Sequence, residues 1–255
     1  MKVKNFREIG CRECLHGAGL SFDFSMAFQP IIDVSSKTVF AQEALVRGMG
    51  GLPAGTVFQN VNDENRYAFD QACRVKAVHL AAKLKIPSLL SINFMPNAVY
   101  RPELCIRTTL TAAEEFGFPI ARIMFEVTES EKVEDIAHLR SIMQQYQKQG
   151  FVTALDDFGS GYSGLNMLAD LEVDILKIDM HLVRDVEKNA RKRAILKGII
   201  ATCQELEIKV IVEGVETQSE FLTLQAMGVV LFQGFYFARP AYEALAEIAW
   251  DKVSN

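Results

Sequence analysis

The apolar positions of this chain fall into short runs that alternate between two periods. "MAFQPIIDV" (26–34) and "TVFAQEALV" (38–46) read as strands joined by "SSK", a turn too short for a crossover helix, so this pair is antiparallel. From Asp63 to Leu84 the residues Phe69, Cys73, Val75, Leu80 and Leu84 mark a helix, with Asn62 or Asp63 as its cap. The alternation then repeats. "SLLSINF" predicts a strand, 102–116 a helix, "RIMFEV" a strand, and "EDIAHLRSIMQQYQKQG" a helix stopped at Gly150. "FVTALDD", "DILKID", "KVIVEG" and "VVLFQG" predict four more strands, interleaved with helices over 163–169, 188–206 and 217–227 and followed by a last one over 241–252.

Several of these strands are apolar with little alternation, as parallel strands covered by helices must be. Strands and helices alternate over nearly the whole chain, and no Pro, Gly or Ser linker marks a boundary. The pattern predicts one α/β domain, a TIM-like (β/α)8 barrel with an antiparallel first strand, over residues 21–255, after an N-terminal extension over 1–20.

Polar residues gather where these strands end. Glu43, Asn93, Glu126, Asp156 with Asp157, Lys177, Glu213 and Gln233 each lie at or near the C-terminal end of a separate predicted strand. A barrel brings those ends to one mouth. Period two supports this, because Val152, Ala154 and Asp156 share a face, as do Lys209, Ile211 and Glu213. Converging carboxylates repel unless cations lie among them, and an oxygen-rich set suits Mg2+ or Mn2+ better than Zn2+. Two ions bridged by one carboxylate would suit in-line attack at phosphorus, and adjacent Asp156 and Asp157 suit that, one bridging and the other reaching the second ion.

Composition narrows the partners. In 255 residues, 49% hydrophobic and 23% charged, 32 acidic against 27 basic side chains give a formal charge of -5, which provides no field for gathering DNA or RNA. "MKVKNFREIG" lacks an apolar signal core and no run predicts a membrane span, so a cytoplasmic location is expected. The five cysteines have no disulfide-rich spacing; Cys11 and Cys14 form one CxxC with only His16 nearby, short of a zinc site.

"QEALVR", "FEVTES", "DDFGSGYSGL", "DILKID", "VEGVET" and "FQGFYFARP" closely resemble the EAL-domain phosphodiesterases, over about residues 26–245. The resemblance implies an eight-stranded barrel with an antiparallel first strand, and hydrolysis of cyclic di-GMP to linear pGpG with two Mg2+ or Mn2+ ions. It implies that Glu43, Asn93, Glu126 and Asp156 hold one ion, and that Asp156, Asp157 and Glu213 hold the second. Lys177 resembles the lysine that holds the attacking water and Gln233 the site glutamine; Gln29 and Arg47 resemble groups near the phosphate and guanine. Glu129 and Glu216 resemble carboxylates that support the active-site loops. One departure is Met95 in "NFMP", where many members have serine. The family further implies a homodimer through the loop after Asp157, "GSGYSGL", and control by a sensor domain or partner protein. A catalytically silent cyclic di-GMP receptor or protein-interaction barrel is the alternative; loss of a metal-site residue would favour it, and none is lost.

Overall fold

The computed structural model describes residues 20–99, 101–128, 135–160 and 164–253. Its first two strands, β1 (Phe24–Asp33) and β2 (Thr38–Gly48), pair antiparallel from Phe24↔Gly48 to Asp33↔Thr38, as the short turn requires. Six parallel strands follow: β3 (Leu89–Asn93), β4 (Ile123–Thr128), β5 (Val152–Phe158), β6 (Ile175–Ile178), β7 (Lys209–Val212) and β8 (Leu231–Phe232). β1 then pairs antiparallel with β8 through Ile32↔Phe232, and the eight strands close on themselves. Closure removes the sheet edges.

Helices cover the outside. The main ones are α1 (Ala54–Phe58), α2 (Arg66–Lys83), α3 (Pro102–Cys105), α4 (Arg107–Phe116), α5 (Ile136–Lys148), α6 (Gly164–Asp170), α7 (Met180–Val183), α8 (Ala190–Glu205) and α9 (Gln218–Gln225). Several of their starts are capped by side chains: Asp135 accepts from the amides of Ala137 and His138, Asn189 from those of Arg191 and Lys192, and Thr217 forms a capping box with Glu220. The start of α2 is not capped by Asn62 or Asp63 as expected: the helix begins after Asn65, with no side-chain cap. The predicted helix over 102–116 is two, α3 and α4, with a turn at Ile106.

The predicted last helix over 241–252 is not formed. Ala241–Tyr242 is instead a short strand, β9, paired with Ala27 and Phe28, and a 3-10 turn covers Trp250–Val253. The reason lies in β1, ten residues long against two in β8: only its far end finds β8, and β9 fills the ladder that remains. Among the described residues no helix is long and apolar enough to cross a membrane.

Two cores result. The larger lies between barrel and helices, and a smaller one fills the barrel with Ile31, Ala41, Met124, Ala154, Ile175, Ile211 and Leu231. Burying each of its large aliphatic side chains stabilises the fold by roughly 1.5–3 kcal/mol. This inner layer is also the floor of the mouth.

Candidate active site

Two residues beyond the floor on β2 and on β4 to β8 comes a polar side chain. Ala41 leads to Glu43, Met124 to Glu126, Ala154 to Asp156, Ile175 to Lys177, Ile211 to Glu213 and Leu231 to Gln233. On β1 the order reverses, Gln29 preceding Ile31, because that strand runs the other way. Side chains two apart share a face, so one apolar layer dictates a polar layer above it. Glu43 corrects the strand-end rule: it lies in the middle of β2, which extends past the mouth to Gly48.

Lys177 stands at the centre, fully buried, with Nζ 2.7 Å from Glu213, 2.9 Å from Glu126, 3.0 Å from Asp156 and 3.5 Å from Glu43. The carboxylates hold its ammonium charged, outweighing the burial that opposes it and raising its pKa well above the ordinary lysine value. Burial pushes Glu126 up to about 8 against the pull of Lys177, and Glu43 and Asp156 push it the same way. Glu213 is raised well above the carboxylate range by burial and then by Asp156. Gln233 Nε2 donates to Glu43 Oε2 at 2.7 Å and Asn93 Nδ2 to Glu43 Oε1 at 3.2 Å.

Asp157 reaches this layer despite following an inward residue. Its φ is +56°, and the β5–β6 register shifts between Leu155 and Phe158, so a bulge turns the second carboxylate toward the mouth. Burial and the neighbouring Asp156 carry Asp157 up to about 6.

The acids form two triplets that share Asp156: Glu43, Glu126 and Asp156, and Asp156, Asp157 and Glu213, with oxygens in each within 4.8 Å of one another. Five carboxylates face one ammonium, so two divalent cations would balance the excess charge. Glu126 Oε1 is buried with no hydrogen-bond partner, the mark of a group awaiting a ligand. An all-oxygen donor set fits Mg2+ or Mn2+.

The cavity over these acids, about 260 Å3, is walled by Gln29, Glu43, Asp156, Asp157, Glu213, Glu216 and Gln233. Gln29 Nε2 donates to the carbonyl of Ala238 at 3.2 Å. Glu216 stands at the rim, 41% exposed, and pairs with Arg184 at 2.9 Å. Arg47 lines a second cavity, beside β2 and β3, together with Asn93 and Met95. Glu129 lies outside the described residues, as do Cys11, Cys14 and His16. Sequence reasoning missed Asp179, Met180 and Phe235, which also line the mouth. Asp179 had a signal, standing two residues after Lys177 on the same face.

The EAL domain model matches residues 17–240. The chain belongs to the EAL domain family. This EAL domain is 51% identical to a standalone versatile EAL protein from Vibrio cholerae O395, solved in a c-di-GMP-bound form, over 93% of this chain and 100% of that one, with a TM-score of 0.90. Klebsiella pneumoniae BlrP1, solved as a manganese/cy-diGMP complex, is 34% identical over 88% of this chain and 58% of its own, with a TM-score of 0.84. Among curated relatives, the blue light- and temperature-regulated antirepressor BluF of Escherichia coli K12 is 29% identical over 89% of the EAL domain and 56% of its own length. The cyclic di-GMP phosphodiesterase NbdA of Pseudomonas aeruginosa is 28% identical over 93% and 31%. The chain therefore spans about half or less of the length of these two curated relatives.

Proposed function

We propose that this EAL domain hydrolyses cyclic di-GMP to linear pGpG at the barrel mouth with two Mg2+ or Mn2+ ions. The observation that carries the reading is the pair of acidic triplets sharing Asp156 around buried Lys177. Glu43, Asn93, Glu126 and Asp156 would hold one ion, and Asp156, Asp157 and Glu213 the other. When bound there, the ions would supply Lewis acidity to the phosphodiester and to the attacking water. Lys177, charged and anchored by carboxylates, orients that water by donating to it, and Gln233 and Asn93 fix Glu43. Water adds to phosphorus and gives up a proton, the bond from phosphorus to the 3′ oxygen breaks and that oxygen takes up a proton, and the ring opens with the phosphate left on the 5′ side. Gln29 and Arg47 are assigned to the phosphate and guanine, and Glu129 and Glu216 to support of the surrounding loops. The solved cyclic di-GMP complexes of similar chains support the substrate.

One observation favours a second reading, a silent protein-interaction barrel: the similar BluF is named an antirepressor. Incubation with cyclic di-GMP and Mg2+ or Mn2+, read by chromatography with an EDTA control, separates the two. Linear product is expected; nucleotide left intact in the presence of metal would favour the silent reading. We also propose a homodimer through the segment after Asp157, where Leu165 on α6 is 63% exposed. Sedimentation of the chain with and without Leu165→Asp tests it, and an unchanged dimer would rule out this face.

A further inference from the structure

Behind the mouth, α2 carries an ion pair that the chemistry does not use. Asp70 and Arg74 are 2% and 0% exposed, with Arg74 Nη2 2.6 Å from Asp70 Oδ2. Arg74 Nη1 donates to the Tyr146 hydroxyl of α5 at 2.8 Å, and its guanidinium lies 5.1 Å from the Phe125 ring and 5.5 Å from that of Phe94. A buried ion pair costs several kcal/mol per ion in desolvation and often stabilises no better than apolar residues of the same volume. Its gain must be sought elsewhere.

The second oxygen of Asp70 points to it. Asp70 Oδ1 accepts the backbone N–H of Met95 at 2.9 Å. Met95 lies two residues past Asn93, where β3 has ended; the last ladder contact is the Phe94 amide, donating to the Glu126 carbonyl at 3.0 Å. Pro96 follows and disfavours a helical backbone at Met95, which is extended at φ −96° and ψ 106°. The Phe94 ring packs against Phe125 and Tyr146 in the outer core. Alternation turns Asn93 to the mouth, where its amide meets Glu43.

We propose that Asp70, held by Arg74 and Tyr146, is a positioning residue for Asn93 and through it for the ion site of Glu43, Glu126 and Asp156. The strand ladder fixes the backbone before Asn93, and Asp70 fixes it after. The inference rests on the metal-site reading above.

Two variants of the full chain separate positioning from stability, with Mn2+ binding followed by the electron paramagnetic resonance of the free ion and unfolding by thermal melts. Asp70→Leu combined with Arg74→Met removes both charges and the acceptor for Met95. It is expected to melt near wild type yet bind Mn2+ about tenfold more weakly, as loss of outer-shell support does. Its turnover should need correspondingly more metal while kcat at saturating metal changes less. Asp70→Asn keeps an acceptor but leaves Arg74 without a counter-charge, so it should melt lower with Mn2+ affinity close to wild type. Wild-type affinity in the double variant, or affinity that merely follows melting temperature in both, would overturn the proposal. Wild-type chain that binds Mn2+ but leaves cyclic di-GMP intact would overturn the catalytic reading alone, because the Mn2+ comparison still decides the role of Asp70.

Discussion

Asp156 and Asp157 are neighbours in sequence with different backbones: one points inward by strand alternation, the other through a left-handed turn at a bulge. Asp156 belongs to both acidic triplets, so Asp156→Asn weakens both at once. Turnover should vanish and Mn2+ binding fall, whereas His79→Ala, an exposed change on α2, should leave both unchanged. Comparable losses in the two would mean the site is misplaced. Glu213 and Glu216 divide similarly, since Glu213 sits 2.7 Å from Lys177 and Glu216 pairs with Arg184 at the rim. Glu213→Gln should lose orders of magnitude in rate at saturating metal. Glu216→Gln should stay within about tenfold. Turnover over a metal titration of both variants checks this, and full rescue of Glu213→Gln by excess metal would contradict its place in the cluster.

At the scale of elements, the mouth depends on how closely the ends of β7 and β8 approach. Gln233 accepts from the Val215 amide at 3.1 Å, and the Tyr236 amide donates to the Val215 carbonyl at 3.0 Å. Between them Gly234 leaves no room: a Cβ there would lie 2.0 Å from the Val215 carbonyl oxygen. Gly234→Ala must therefore push backbone, which cannot rotate aside as a side chain can. We expect a loss of at least about 1–3 kcal/mol in denaturant unfolding. Activity should fall too, because Gln233, one residue away, holds Glu43. Wild-type stability and turnover in this variant would show the contact to be slack.

For the whole molecule, the mouth concentrates charge that folding alone does not compensate. Burial lifts Glu126 from an ordinary 4.5 to about 8, and Asp157 from 3.8 to about 6. Both values are raised on folding, so the stability tied to their protons is fully present below the unfolded values and lost as pH rises through about 6 and about 8. The metal-free chain should thus melt progressively lower across that window. Bound cations take the place of those protons, so the rise in melting temperature produced by saturating Mg2+ should grow over the same range. Melts with EDTA and with Mg2+ at several pH values check both trends; a Mg2+ effect that shrinks with rising pH would contradict the assignment of these acids.

Much of this was legible in the chain itself. Strand-end positions pointed to Glu126, Asp156, Lys177, Glu213 and Gln233 as one constellation, period-two alternation turned Asp156 and Glu213 inward because side-chain direction in a strand is a local property, and the short turn before β2 forced an antiparallel start. What local pattern could not decide was anything set by a distant partner. The segment 241–252 has helical periodicity, but the open ladder of β1 drew Ala241 and Tyr242 into a strand. Asp70 and Arg74 have the spacing of an exposed helical pair, and only packing of α2 against β4 and α5 buried them under the turn that follows Asn93. Arg47 shares a motif with Glu43 yet lines another cavity, because residues an even number apart diverge once a strand runs beyond the barrel mouth. Sequence determined which groups face inward; tertiary structure decided which of them meet, since meeting depends on strand lengths, registers and the helices packed behind them.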